Sequence, residues 1–300
     1  MSTAGLLSIS VAFVWATAFM PVVLRLAAVL GAIALPNPHV RTHLSGTPVL
    51  GGLAIVSAVL AALLVVWSAG IGVGSMSYIC ALILMATLGF YKDVKQSDLS
   101  PYLQLAIQLT ASSILVLSAE GVLEHWSVPA LAALVVGAAL VINAFNFLDV
   151  MDGLAGTVSI VVAISFVGVG IFIGSAQITF VALALAGACG GFLLWNRPPA
   201  WVFMGDLGSF GIGLTVAYML VTAISAAPIS LVLTSLVAVP VIEVFIAAVS
   251  RIAAGRSPLR GDASHLSLRL LNKGMSPWAV SAIFATCTAA TGLFALAVLY

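Results

Sequence analysis

The sequence contains very little charge. Only 6% of its 300 residues are Asp, Glu, Lys or Arg, whereas 63% are hydrophobic. Water-soluble domains usually contain about 25% charged and about 45–50% apolar residues, so this composition excludes a soluble globular protein. The apolar runs reach about 20 residues, which suits helices that cross the hydrocarbon core, and they lack the short alternating pattern of a membrane β-barrel.

Cysteine is also scarce. Cys80, Cys189 and Cys287 lie in three separate apolar runs, and the chain contains no CxxC pair. We therefore expect small buried side chains at these positions, with neither a disulfide nor a thiolate metal site. The first apolar run has no basic segment before it and no convincing cleavage site after it, so we expect it to be retained as a span.

The apolar runs predict an all-α integral membrane protein with about ten transmembrane helices. They follow one another along the whole chain, so residues 1–300 are expected to form a single polytopic domain. The predicted spans are residues 5–33, 49–67, 74–91, 102–118, 129–147, 157–175, 177–196, 208–224, 229–250 and 277–299.

The basic residues lie on one side of this predicted bundle. Nine of the ten Lys and Arg residues fall in odd-numbered connections between spans, and the tenth, Arg25, lies late in the first span towards the same face. The positive-inside rule then makes the odd connections cytoplasmic and leaves both termini outside. Seven of the nine acidic residues lie in or beside the same connections, so we expect an active site on the cytoplasmic face.

The run NAFNFLDVMDGLAG, residues 143–156, is the most polar feature near a span. It places Asn143, Asn146, Asp149 and Asp152 at every third position, with no Lys or Arg among them. Four such positions would sweep half the circumference of a helix, so we expect a helix end here, loosened by the two glycines that follow. A polar end facing water is one interpretation, but uncompensated carboxylates at membrane depth usually mark a functional site.

Two further runs carry acids at the ends of predicted spans. In GFYKDVKQSDLSP, Asp93 is flanked by Lys92 and Lys95, and by itself this pattern is typical of an interfacial loop with snorkelling lysines. In WNRPPAWVFMGDLGSFGIG, Asp206 opens a span, where an Asp is often simply an N-cap. The same position also suits a phosphate or metal platform, because a helix N-terminus attracts anions.

Two loops supply the basic groups. The run SRIAAGRSPLRGDASHLSLRLLNKG contains Arg256, His265 and Arg269, and the run PNPHVRTHLSGTPVLGG contains Arg41 and His43. Such residues can mark the cytoplasmic side or bind anionic lipid headgroups, but Arg also grips a diphosphate with two hydrogen bonds. Together with the carboxylates and amides they can hold Mg²⁺, or Mn²⁺ in its place, and a diphosphate; neither zinc nor iron is indicated.

Taken in order, these motifs resemble those of the polyprenyl-phosphate N-acetylhexosamine-1-phosphate transferases, the MraY/WecA superfamily of glycosyltransferase 4. NAFNFLDVMDGLAG is similar to the family pattern NAxNxxDGxDGLA, and WNRPPAWVFMGDLGS to NxxPAxxFxGDxGS. GFYKDVK is similar to GxxDDxK, RTHLSGTPVLGG to RxxHxxPTPxxGG, and GDASHLSLRL to GDxxHxHHRL. The short sugar loop lacks the His-rich end of the cell-wall pentapeptide enzyme, which favours the WecA-like branch.

The resemblance implies a reaction in the bacterial inner membrane that initiates a cell-envelope glycan. A polyprenyl phosphate attacks the β-phosphate of a UDP-N-acetylhexosamine, with Mg²⁺ required, and the products are polyprenyl-diphosphate-sugar and UMP. The expected partners are these two substrates and the membrane, with no nucleic acid and with a homodimer left open. The candidate residues are Asp93, Asp149, Asp152 and His265 for catalysis, Asp206 and Asp149 for the metal, and Arg41, His43, Lys92, Asn143, Asn146, Asn196, Arg256 and Arg269 for substrate binding.

The chain departs from the family pattern in three places. Lys92 stands where the family has the first Asp of a pair, Val150 replaces a Gly, and Ser267 and Leu268 replace two His. Lys92 either faces the site as a working cation or snorkels to the headgroups and leaves the site one carboxylate short. The alternatives to an active transferase are a non-catalytic relative that binds lipid-linked sugars and, from another class, a secondary transporter.

The topology can be tested with single cysteines introduced at positions 45, 98 and 263, after replacement of the three native ones. We expect an impermeant thiol reagent to leave all three unlabelled in sealed cells, because their connections are cytoplasmic. A cysteine at position 124, in a connection predicted to lie outside, is the positive control. Labelling at the first three positions would place the predicted site on the wrong face.

Overall fold

The computed structural model describes residues 3–35, 46–72, 74–96, 99–119, 121–226, 230–256 and 265–300. These residues form thirteen α-helices, a two-stranded antiparallel ribbon and a 3-10 turn at Thr234–Val237. The helices are α1 Thr3–Leu30, α2 Gly51–Ser68, α3 Met76–Lys95, α4 Pro101–Leu117, α5 Val122–His125, α6 Val128–Leu148, α7 Leu154–Phe172, α8 Ala176–Asn196, α9 Gly205–Ala226, α10 Ser230–Leu233, α11 Ala238–Ala253, α12 Leu266–Asn272 and α13 Pro277–Leu299.

The fold is that of an all-α integral membrane protein that crosses the membrane several times. Within the described ranges, nine helical segments are long and apolar enough to span a bilayer, and α4 adds a shorter apolar helix of 17 residues. Each of the ten predicted spans corresponds to one of these segments. The prediction of about ten transmembrane helices in an all-α protein is therefore confirmed.

Helix α9 lies at the centre of the bundle. Nearly all of its residues are buried, whereas α1 and α13 expose large apolar side chains on their outer faces. Small residues allow this central position, because a Cβ atom at Gly208 would collide with the backbone of Gly52 in α2, and one at Gly213 with the backbone of Ile142 in α6. Close backbone approach at small residues is how membrane helices gain packing energy without a hydrophobic driving force.

A short extended region fixes the start of α9 against the start of α2. Strands β1 (Ile33–Ala34) and β2 (Thr47–Pro48) pair in antiparallel register. The N–H of Phe203 donates to the carbonyl of Pro48 (2.7 Å), and the N–H of Gly51 donates back to the carbonyl of Phe203 (3.0 Å). The segment that leads into α9 therefore continues this ribbon, so the two helix starts have fixed relative positions.

Four local expectations need correction. The third span was expected to end at residue 91, but α3 continues to Lys95, because its last turn is bonded to neighbouring helices. The span expected at 229–250 is broken by a 3-10 turn before α11. Gly156 lies inside α7, where it gives room to Leu193, and does not loosen the backbone. Of the cysteines, one is buried, and Cys80 and Cys287 are exposed on the outside of the bundle.

Candidate active site

Helices α6 and α7 meet in a tight corner that holds two of the predicted carboxylates. Helix α6 ends at Leu148 and Asp149 follows it directly, as the sequence predicted for a helix end. Gly153 closes the corner with φ 76°, a left-handed conformation that glycine adopts without a steric penalty. The buried carboxylate of Asp152 accepts a hydrogen bond from the backbone N–H of Ala200 (3.0 Å), which ties the corner to the segment leading into α9.

The first turn of α9 is held by carboxylates from two other parts of the chain. The two oxygens of Asp93 accept hydrogen bonds from the N–H groups of Asp206 (2.9 Å) and Leu207 (3.0 Å). The carboxylate of Asp149 lies close enough to the N–H of Gly205 for a favourable electrostatic interaction. A helix leaves its first N–H groups without partners inside the helix, and negative charge is favourable there. Asp93 therefore caps α9 from outside, and Asp206 does not.

Helix α3 reaches this position because of a glycine one turn earlier. A Cβ atom at Gly89 would collide with the backbone of Leu207, so only glycine allows α3 to cross the start of α9 at this distance. One turn further along α3, the side chain of Asp93 points at the same N–H groups and is 8% exposed. The GFYKDVK motif therefore combines the close contact and the cap in one helical segment.

The side chain of Asp206 is left to face the site. One of its oxygens accepts a hydrogen bond from the amide nitrogen of Asn146 (2.6 Å), and the other forms an ion pair with the ammonium group of Lys92 (2.6 Å). The carboxylate is 26% exposed, so it is reachable from one end of the bundle. Carboxylates from α3, α6 and α9 thus converge with one ammonium group and one amide.

Lys92 faces this site and does not snorkel. Its ammonium group also donates to the side-chain carbonyl of Gln104 in α4 (2.6 Å) and lies 5.2 Å from the ring centre of Phe210. The side chain is only 17% exposed. Lys92 was expected either to face the site or to snorkel to the headgroups. The structure shows the first orientation, which brings a cation to Asp206.

Two of the predicted amides support the framework around the site. Asn143 and Gln108 exchange hydrogen bonds between α6 and α4, with N–O distances of 2.6 and 3.2 Å. The amide oxygen of Asn196 accepts from the N–H of Gly153 (2.9 Å), and its nitrogen donates to the carbonyl of Val202 (2.8 Å). Both ends of the Asn196 amide are therefore engaged with backbone, and its predicted contact with a nucleotide stays a prediction.

The site contains more negative than positive charge. Burial, and next the nearby carboxylate of Asp206, raise the pKa of Asp149 to about 7. A bound divalent cation would relieve this repulsion, since it favours ionised carboxylates. In the part of the chain that the structure describes, no three acidic, His or Cys side chains come together as a complete metal cage.

His265 packs against an aromatic ring near the end of α6. It is 5% exposed, and its ring lies 5.3 Å from that of Phe147, two residues before Asp149. The buried guanidinium of Arg251 also lies by this ring, at 5.1 Å from its centre. Phe147 therefore connects the α6 end of the site with the basic residues that surround α12.

The remaining predicted basic residues are not all placed. Arg269 in α12 and Arg256 after α11 are described and exposed. Arg41 and His43 lie outside the described residues. The roles of these four residues in substrate binding stay predictions.

Sequence reasoning missed the polar partners that come from apolar helices. Gln104 and Gln108 stand four residues apart on α4, where they bond Lys92 and Asn143. Their spacing on one helix face inside an apolar run was a readable signal. Glu243, which is buried in α11 and bonded to Ser267, carried no such signal, because its partner is 24 residues away.

Comparison with known proteins is consistent with these motifs. The family model for glycosyl transferase family 4 matches residues 75–224. Decaprenyl-phosphate N-acetylglucosaminephosphotransferase of Mycolicibacterium smegmatis is 31% identical over 82% of this chain and 70% of its own length. The enzyme of the same name from Mycobacterium tuberculosis is 33% identical over 84% of this chain and 72% of its own. A phospho-N-acetylmuramoyl-pentapeptide-transferase of Moorella thermoacetica is 40% identical over 31% of this chain and 29% of its own.

The capping role of Asp93 leads to a stability prediction. Asp93→Ala leaves one buried and one partly buried N–H group without acceptors, so we expect a loss of about 1–3 kcal/mol in unfolding free energy. It should also speed amide exchange over residues 205–210. Asp206→Ala is the matched control, because it removes a carboxylate without exposing these N–H groups. Thermal unfolding and hydrogen exchange in detergent measure both effects, and equal losses in the two variants would contradict the cap.

Proposed function

This chain belongs to glycosyl transferase family 4, and from that premise we propose that it transfers N-acetylglucosamine 1-phosphate from a UDP-sugar to a polyprenyl phosphate. The products are polyprenyl-diphosphate-N-acetylglucosamine and UMP, and the reaction begins a cell-envelope glycan at the cytoplasmic face of a bacterial inner membrane. One observation carries the proposal. Acidic motifs that are distant in sequence meet at the first turn of α9, with Asp206 reachable from one end of the bundle.

The chemistry needs little covalent help from the protein. An oxygen of the lipid phosphate attacks the β-phosphorus of the UDP-sugar, the bond to the bridging oxygen breaks, and UMP leaves with the electron pair. Catalysis of such a transfer rests on positioning two anionic phosphates and stabilising the charge between them. Lys92 supplies a fixed positive charge at the site, and Arg269 and His265 provide further groups suited to phosphate.

Mg²⁺ fits the donor set of this site. Mg²⁺ typically binds through one or two carboxylates and completes its shell with substrate phosphates and waters, so an all-protein cage is not required. Asp206 and Asp149 are close enough for their charges to interact: burial first, and the charge of Asp206 next, raise the pKa of Asp149. These two residues would hold Mg²⁺, or Mn²⁺ in its place. When bound, the ion supplies neutralisation of the diphosphate charge.

Other residues would prepare the site for that chemistry. Asp93 fixes the N–H groups of α9 and thereby the position of Asp206. Asn146 holds one oxygen of Asp206, which orients the other oxygen towards Lys92. Asp152 and Asn196 fix the corner and the segment before α9. The acids cluster at helix ends, which is unlike the mid-membrane sites of secondary transporters.

The metal assignment can be tested with Asp206→Asn. Asn keeps the shape of the side chain and one acceptor oxygen, but it replaces the other oxygen with a donor, loses the charge that pairs with Lys92, and is a poor Mg²⁺ ligand. We expect at least about a hundredfold loss of UMP release, since a metal contributes several kcal/mol of charge stabilisation. Normal turnover, with unchanged dependence on added Mg²⁺, would show that Asp206 is not the ligand.

Lys92 generates a second functional prediction. If its ammonium group works as a cation beside Asp206, Lys92→Ala and Lys92→Asp should both release UMP more slowly, by about tenfold or more for the loss of a charged hydrogen-bonding partner. Lys95→Ala is the matched control, because Lys95 lies on the same helix end and is exposed.

The same assay decides whether this departure from the family pattern is compatible with activity. An inactive wild-type chain that gains activity from Lys92→Asp would identify a degenerate transferase. It would show that the native ammonium group blocks the site and does not serve it. A wild-type chain that binds UDP-N-acetylglucosamine without releasing UMP would support a non-catalytic relative instead.

A further inference from the structure

A buried carboxylate in α11 holds the start of α12. Glu243 is 1% exposed, and its Oε1 accepts hydrogen bonds from the N–H (3.3 Å) and the hydroxyl group (3.2 Å) of Ser267. The N–H of Leu266 lies close enough to stabilise the charge of this carboxylate. A buried carboxylate is costly unless donors surround it. Both hydrogen bonds come from Ser267, so the carboxylate acts on one short segment.

Helix α12 depends on contacts of this kind. It contains only seven residues, and an isolated helix of that length is unstable in water. Ser267 and Leu268 point inward, at 0% and 6% exposure, and they occupy the positions where the resembling family has two histidines. In this chain these positions therefore anchor the helix.

The anchored segment carries two of the candidate substrate-binding residues. His265 directly precedes α12, with its Nδ1 3.8 Å from Glu243 Oε1 and its ring against Phe147. Arg269 lies one turn further on, is exposed, and is close enough for its charge to act on the Glu243 carboxylate. The position of both residues relative to the α6 end of the site therefore depends on the contact between Glu243 and Ser267.

We propose that Glu243 is a positioning residue that acts through α12. It fixes Leu266 and Ser267, and thereby places Arg269 and His265 to bind the phosphates of the nucleotide sugar. This inference rests on the proposed transferase function, because it assigns these two residues to that substrate. Glu243 itself touches no substrate in this scheme, so its loss should affect substrate affinity more than the rate of the chemical step.

Ser267→Ala is the mildest test, because it removes one hydroxyl donor and little volume. We expect the KM for UDP-N-acetylglucosamine to rise about three- to tenfold, the effect of one lost hydrogen bond, with kcat changed less than about twofold. Ser281→Ala is the matched control. Ser281 is also buried, at 4% exposure, and its hydroxyl has no hydrogen-bond partner among the described residues. An unchanged KM in Ser267→Ala, or an equal rise in the control, would overturn the proposal.

Glu243→Gln tests the carboxylate itself. Gln keeps one acceptor oxygen, but it replaces the other with a donor and loses the charge that strengthens the bonds. We expect a larger rise in KM than in Ser267→Ala. Should this variant fail to fold, the comparison of Ser267→Ala with Ser281→Ala still decides whether the Glu243–Ser267 contact affects KM.

A double-mutant cycle separates positioning from general damage. If Glu243 and Ser267 act through Arg269, then Ser267→Ala should raise KM less than about twofold in a chain that already carries Arg269→Ala. Full additivity of the two effects would overturn the proposed route. A fall in kcat with KM unchanged in Ser267→Ala would equally count against it, because that pattern indicates loss of active protein.

Hydrogen exchange distinguishes failure of the anchor from failure of the proposed function. Amide exchange over residues 265–272 should be faster in Ser267→Ala than in the wild type and in Ser281→Ala. An inactive wild type with faster exchange in Ser267→Ala would support the role of the Glu243–Ser267 contact in holding α12 and would contradict the proposed transferase function. Unchanged exchange in Ser267→Ala would contradict that role of the contact, whatever the activity.

Discussion

The contact on which this site depends is the one between the Asp93 carboxylate and the first N–H groups of α9. Every helix begins with donors that it cannot satisfy itself, and α9 begins between other helices, partly shielded from water, where those donors need protein partners. Asp93 from α3 accepts two of them, and the carboxylate of Asp149 from the α6 corner lies close to a third. The same bonds that stabilise the central helix therefore bring three acidic motifs together. Stability and site geometry share one origin.

This arrangement explains why a chain with so little charge concentrates acids in one place. Asp93 and Asp149 face the N–H groups and the positive end of the helix dipole at the start of α9. Asp206 is the carboxylate that stays partly exposed. Lys92 and Asn146 then restrain that carboxylate from two sides. In low dielectric surroundings a fixed, pre-oriented set of charges is more effective for phosphate chemistry than a mobile one. The site is therefore held in place by hydrogen bonds on nearly every side chain that forms it.

Much of the fold followed from the sequence, because span length depends on bilayer thickness and on little else. The run predicted at 102–118 is α4, Pro101–Leu117, and the other spans agree to a similar degree. The sequence placed Asp93, Asp149 and Asp206 in one predicted site, and the structure brings them together, but the structural role of each was not predictable. Asp206 looked like a helix cap from its position, whereas the cap comes from Asp93, 113 residues earlier in the chain. Local sequence cannot reveal such a partner, because crossing of α3 and α9 decides it.

The three departures from the family pattern have different physical consequences. Val150 replaces a glycine, but in the corner the left-handed conformation is at Gly153, and position 150 needs none. A branched residue is therefore tolerated there without backbone strain. Ser267 and Leu268 replace histidines at buried positions, where Ser267 bonds to Glu243 and holds the start of α12. Only Lys92 alters the charge of the site itself.

Lys92 therefore carries most of the chemical difference between this chain and the pattern that it resembles. An acid at that position would add a fourth negative charge beside Asp93, Asp149 and Asp206, and the repulsion would have to be balanced by bound cations. The ammonium group balances part of it permanently, through its contact with Asp206 and its hydrogen bond to Gln104. Such a site relies less on a metal for its stability and offers a ready point charge to an incoming phosphate. The substitution thus places part of the charge neutralisation of these carboxylates on the protein chain itself.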